Sequence, residues 1–509
     1  MPTDFHSFWN KFKLSAIKPM LISGSVVLPL FLMILLPAEL AFCFSNWPAS
    51  GQQHCYGAPV ESDENIFATI DCPADDSEDF FGQDNQYRHL QLSRHYTKLD
   101  AWGNELADDA ERWFMVRDDV TGLIWEVKSD DGSIHDHDNT YVWCDPEAEN
   151  KGECPTEPGE HAPHTREFIV TLNNSHFGGA DGGDPARSWR IPTIQELTTL
   201  IHADQPESAA TLATHPSIDV AYFPHARPYE EYWSATSDSD NGEQAWYLSA
   251  TLGNTYHDKA KSERLHVRAV MGVPPQAPSG FTDNGDQTVT DNVTGLMWQR
   301  NTQDADLDQN GTTTWREALA YCESLQLAGH TDWRLPNRME LLSLVEHSQS
   351  PALGIQDDNL AGILFPHYWT STTNIWHPWR AWLVDFTDGK LQSQAKSTYN
   401  GQVRAVRGRQ KVNLTLRLAG RGAGHVVSRP AGIDCPDDCS EIGTYHAGDK
   451  VILTAVAHGN DRFIGWSGGN CSGVAPSCTV SMNRSLEVTA TFAEPFSWHS
   501  FFPAIFSHE

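Results

Sequence analysis

At 509 residues the chain is too long for one ordinary domain, and about three folded units are expected. Its 18 Trp, 22 Phe and 37 Gly beside 20% charged residues describe an ordered, aromatic-rich, loop-rich protein and exclude general disorder and long helical bundles. A formal net charge of -32 disfavours nucleic acid as a partner, because phosphate backbones are recruited by clustered Lys and Arg. Cations and basic or neutral surfaces remain open as partners.

Lys11, Lys13 and Lys18 precede an uncharged apolar run from Met20 to Ala38. The pattern is an export signal, either a long signal-peptide core or a membrane span of about 20 residues. In both cases the positive-inside rule places the rest of the chain outside the cytoplasm, and residues 1–45 are read as signal peptide or anchor. Membrane contact is expected through that segment only. Cysteine usage agrees with the compartment, since Cys55 and Cys72, Cys144 and Cys154, Cys435 and Cys439, and Cys471 and Cys478 form sequence-local couples suited to disulfides. Cys43 lies in the leader, and Cys322 is left alone on a helical apolar stripe as a buried, inert thiol. Acidity concentrates early: residues 51–280 hold 41 Asp and Glu against 15 Lys and Arg. Residues 46–116 thus read as an acidic lead-in.

Five landmarks then occur twice in the same order. The first set is DDVTGLIW ending at Trp125, WRIPTIQEL from Trp189, FPH at Phe223, YWSATS around Trp233 with AW at Trp246, and VRAVMG from Val267. The second is DNVTGLMW ending at Trp298, WRLPNRMEL from Trp333, FPH at Phe365, YWTSTT around Trp369 with AW at Trp382, and VRAVRG from Val403. Two modules follow, residues 117–273 and 281–411. In each, a hairpin turning at Thr-Gly feeds a buried strand, Trp315 to Leu325 shows a helical stripe, and a second helix starts at Asn337 with Glu340 in its first turn. Two helices and several short antiparallel strands per module predict an α+β fold. Trp125, Trp189, Trp298, Trp333 and Trp382 read as core. Arg190, Arg334, Arg268 and Arg404 read as partners of buried carboxylates such as Glu196 and Glu340.

The TGLxW, WRxPxxxEL, YWxS/T and VRxVRG series resembles the Lcl C-terminal domain family, a bacterial relative of C-type-lectin-like folds. The resemblance implies two C-type-lectin-like modules, rigid scaffolds with variable loops that some members use to bind sulfated polysaccharides as adhesins. The enzyme branch of those folds lacks support here, because the second copy has no reactive Cys pair. Beyond Gly408, GIDCPDDC, the strand Val451 to Ala455, FIGWSGGNCSG and CTVSMNRSLEVTATF resemble the bacterial repeat family related to internalin B repeats. Residues 412–493 are therefore expected to be a small, disulfide-bonded β-domain, followed by an aromatic tail at 494–509.

Three constellations could carry chemistry. Asp306, Asp308, Asn310, Gly311, Thr312, Thr314 and Glu317 occupy EF-hand-type positions, in which alternate carboxylates, a Gly bend and a closing Glu supply the oxygens calcium needs. Calcium is accordingly the candidate cofactor, with Asp136 and Asp138 a weaker echo. The insertion of the first copy carries His135, His137, His161 and His164, either a plain disulfide-bonded loop or a metal-capturing one. In the second copy, Trp376, His377, Trp379 and Arg380 offer apolar faces and a forked donor for a sugar, unless one Trp caps the core. No HExxH, phosphate loop or GxGxxG appears, and Gly465, Ser467 and Gly469 fit a nucleophile elbow only by accident. The expected function is an exported, non-enzymatic, adhesin-like binding protein for a glycan or surface protein. The alternative is a structural spacer or subunit of a surface assembly with no small ligand.

Overall fold

The structure, a computed structural model, describes residues 46–57, 69–75, 78–146, 152, 154, 163–181, 183–202, 216–251, 253–273, 280–300, 313–347, 367–437 and 439–495. The leader, Asp306 to Thr312 of the calcium-type loop, His161, Phe365 and residues 496–509 lie outside them. All the described residues fall in one compact unit.

Both modules build the same two sheets from their repeated landmarks. In the first, strands Tyr96–Leu99, Met115–Asp118, Ile124–Glu126, Val270–Met271 and Trp189–Arg190 lie in that spatial order. In the second, Phe281–Asp283, Thr288–Asp291, Met297–Gln299 and Val406–Arg407 take the corresponding places, and Arg334 bridges Val406. Trp125 pairs Val270 and Trp298 pairs Val406, so the sequence repeat is also a repeat of register. The hairpin corner is legible residue by residue. Asp118 Oδ1 accepts from Val120 N and Asp291 Oδ1 from Val293 N, while Gly122 and Gly295 both sit at φ +77°, a left-handed turn that only glycine enters without strain.

The other sheet of the first module orders Thr255–Ala260, Gln244–Ser249, Glu231–Ser237, Arg264–His266 and Thr140–Val142. The second module keeps His367–Thr373, Arg380–Asp385 and Leu391–Ala395. Each carries a register shift at the same place, between Trp233 and Ser237 in one and between Trp369 and Thr373 in the other.

The α+β, C-type-lectin-like expectation is overturned. Of the described residues 39% are strand and 12% helix, which makes the protein β-rich. The helical stripes are real but short: Thr165–Asn174, Ile194–Thr199, Trp315–Ser324 and Arg338–Leu342. Periodicity marks which segments are helical, yet strands far outnumber helices among the described residues, and the second helix of each module is a one-turn plug. Thr193 and Asn337 cap those plugs, with Glu196 and Glu340 closing the capping box.

The described part of residues 46–99 packs against both modules. Tyr96–Leu99 joins the first module's sheet, while the stretch before it straps the second module: Thr372 Oγ1 donates to Asp84 Oδ2 at 2.6 Å, Thr373 N to Gln52 Oε1 at 2.8 Å, and Phe80 stacks on Trp315. One hydrophobic cluster runs through both modules and the strap, from Trp47 and Tyr56 through Trp125 and Trp246 to Trp298, Trp376 and Trp382.

The C-terminal domain is two four-stranded sheets, Ser440–His446, Lys411–Gly420, Leu486–Ala493 and Arg462–Ser467 against Asp434–Pro436, Gly424–Arg429, Lys450–Ala457 and Ser477–Ser481. Its own core includes Val451, Leu453, Val488 and Phe492, inward residues at period two. All four expected disulfides form, and Cys322 is free and fully buried. The bonded sulfurs of Cys435 and Cys439 leave no thiolate pair for zinc.

Candidate functional site

The sequence-predicted ligand loop separates in space. Trp376 is 4% exposed and belongs to the core, so it cannot be a ligand platform. His377, Trp379 and Arg380 stay half-buried at the surface, the guanidinium 4.6 Å from the Trp379 ring centre. Of the calcium-type set, only Glu317 among the metal candidates is described. Its Oε2 accepts from Thr313 Oγ1, Thr314 N and Thr314 Oγ1, which holds the carboxyl below its usual range and closes the capping box of Trp315–Ser324.

A cleft of about 350 Å³ opens instead on the first module. Trp113, Phe114 and Phe177 supply apolar wall, and Lys128, Ser129 and His135 supply polar floor. The floor comes directly after the core strand Ile124–Glu126. Trp125 points into the core, so Glu126 points to the opposite face, where it is 0% exposed. Its carboxylate is saturated: Lys128 Nζ donates at 3.1 Å, His135 Nδ1 lies 2.8 Å from Oε1, and Ala269 N donates to Oε2 at 3.1 Å. Burial pushes Glu126 up, but Lys128 and His135 together hold it below the ordinary carboxylate range. Burial pulls the Lys128 ammonium down, opposed by Glu126.

His135 is delivered by a compact loop. Asp136 Oδ2 accepts from Asp131 N and Gly132 N, and Oδ1 from Asp138 N, so Asp136 organises backbone amides. Hydrogen bonds from Ser133 and Ser129 hold the Asp131 carboxyl down to about 2. Asp136, His137 and Asp138 come close enough to share an ion, and His137 Nδ1 is 3.5 Å from Glu230 Oε1. His164 is buried, and its backbone bridges Val142.

The second module carries a neutral counterpart of this site. Gln299 occupies the place of Glu126, its Oε1 accepting from Ala405 N at 3.2 Å and its Nε2 donating to Tyr321 OH at 2.7 Å. Among the described residues Arg268 and Arg404 have no carboxylate partner, unlike the sequence expectation; each donates to the backbone oxygen of this residue, Glu126 O at 2.9 Å and Gln299 O at 2.8 Å. Arg190 and Arg334 do pair, with Glu196 and Glu340. Sequence reasoning missed Glu126, Lys128 and the cleft walls. The available signal was WEVK against WQRN directly after the paired core Trp.

A duplicated β-rich scaffold, four disulfides and an appended β-repeat describe a bacterial surface-associated protein of a kind consistent with export. The Lcl C-terminal domain family matches residues 114–271 and 287–407, more than half the chain, and the divergent InlB B-repeat domain matches 439–495. The chain belongs to the Lcl C-terminal domain family. A search of curated proteins finds no match. Among the described residues no helix is long and apolar enough to cross a membrane.

Proposed function

We propose that the protein is an exported, non-enzymatic, adhesin-like binder that recognises a glycan or another surface component. The observation that supports this reading is the first-module cleft, where aromatic wall meets fixed polar groups, the combination that suits the C–H faces and hydroxyls of a sugar. Glycan arrays probed with residues 46–509, with and without calcium, test it; uniform silence overturns it. A structural role in a surface assembly is the second reading, favoured by Val427, Ile452 and Val456, which stand exposed on one face of the C-terminal domain.

Calcium belongs to the proposal through Asp306, Asp308, Asn310, Thr312 and Glu317. Calorimetry at millimolar calcium should show heat that Asp306→Ala abolishes, and an absence of heat in the wild type removes calcium from the reading.

A further inference from the structure

We propose that the buried Glu126 carboxylate fixes His135 so that its Nε2 is a bare hydrogen-bond acceptor facing the first-module cleft, where it reads a hydroxyl of a neutral sugar laid against Phe114 and Phe177. The inference rests on the glycan-binding reading above and names the atom and the ligand chemistry of that site. Four observations converge on it.

Lys128 already neutralises Glu126, so the carboxylate needs no second cation. His135 meets Glu126 through Nδ1, and a hydrogen bond on one ring nitrogen decides which one carries the proton. In a neutral ring, Nδ1–H donating to Glu126 leaves Nε2 with its lone pair, on the edge of the ring away from the carboxylate. Among the described residues Nε2 has no hydrogen-bond partner, while the ring lines the cleft and lies 4.5 Å from the Phe177 ring centre.

The comparison between copies removes the purely structural explanation for the charge. Accepting from the amide of Ala269 requires only a side-chain oxygen, and Gln299 does the same for Ala405 in the second module with no Lys or His partner among the described residues. A buried carboxylate with a buried ammonium is a costly replacement for a neutral amide that already serves the fold. What Glu126 adds is an acceptor strong enough to orient an imidazole. Glu126 and Lys128 are thus positioning residues, and His135 touches the ligand. Neutral ligands are favoured because Lys128 and Glu126 offset each other at the floor, because the other charged lining residues, Glu111, Arg112 and Asp131, carry both signs, and because an aromatic wall stacks on the apolar face of a pyranose ring.

The test uses the full chain on a printed array of neutral oligosaccharides. His135→Ala and His135→Phe should lower binding to the best wild-type ligand by about tenfold, the value of one hydrogen bond. His135→Gln should recover most of it, since its amide oxygen can accept where Nε2 did. Glu126→Gln combined with Lys128→Asn, which copies Gln299 and Asn301 of the second module and strands no buried ammonium, should weaken binding. In protein labelled with 15N-histidine, long-range correlations should show His135 protonated at Nδ1 and bare at Nε2, its signals assigned by their loss in His135→Gln; the double variant should erase that pattern. Wild-type binding that His135→Ala leaves unchanged, or a His135 proton on Nε2, overturns this inference and leaves the glycan reading standing. No neutral sugar bound by the wild type overturns the inference, and silence across all glycans brings down the glycan reading as well. Zinc protection of Nε2 at micromolar metal without sugar binding would also sink it.

Discussion

Arg334 and Glu340 meet as a two-pronged pair, Nη1 to Oε2 at 2.6 Å and Nη2 to Oε1 at 2.7 Å, with both side chains 2% exposed. The equivalent Arg190 in the first module is 23% exposed, though Glu196 is fully buried. Removing the carboxylate strands a guanidinium, and the cost depends on whether water can reach it. Glu340→Ala should destabilise by roughly 3–5 kcal/mol, the range for breaking a buried pair. Glu196→Ala should cost distinctly less. Chemical denaturation of the two variants compares them directly, and equal losses would contradict the burial argument.

The one-turn helices show how little of an element needs to be regular when its ends are satisfied. Asn337 Oδ1 accepts from Met339 N and Glu340 N, while Glu340 Oε2 accepts from Asn337 N. Arg338–Leu342 is only five residues long, so its helical amides depend on the cap rather than on propagation. Asn337→Ala should cost about 1–2 kcal/mol. Asn337→Thr should restore most of that, because Thr193 fills the same role in the first module. Melting temperatures of the three proteins would settle the order.

At the scale of the whole molecule the modules are joined by a charged clasp. His257, on strand Thr255–Ala260 of the first module, places Nδ1 2.9 Å from Asp238 Oδ2 and Nε2 3.2 Å from Asp388 Oδ2 of the second. Only an imidazolium donates from both nitrogens. The ring packs on Trp246, Lys390 also reaches Asp388, and His347 packs edge-on against Trp246 from the second module. Hydrogen bonds to Asp388 and then Asp238 outweigh burial and raise His257 above the ordinary histidine value. Burial pushes Asp388 up, but His257 and Lys390 hold it down to about 2. A raised pKa gives stability that is complete below the unfolded value of about 6.5 and is lost as pH climbs through the folded one. Thermal stability should therefore decline on the alkaline side of neutrality, and His257→Gln should flatten that decline. Identical pH profiles for the two proteins would refute the clasp.

The sequence alone determined the duplication, the family, the four disulfide couples, the buried Trp set and the helix starts, because each is written in local spacing or in a repeated string. The fold class was misread for a physical reason: helical periodicity reports which residues share a face, whereas helix length and the share of burial taken by strands depend on what packs across from that face. Residues 46–116 read only as an acidic lead-in, yet Asp84, Gln52 and Phe80 close over the second module, contacts made by residues more than 200 positions apart. Contacts between residues far apart in sequence also hid Trp376 in the core and the His257 clasp. Glu126 was visible only as one difference between two copies; what surrounds a side chain, and therefore what a charge there can do, was decided by the tertiary structure.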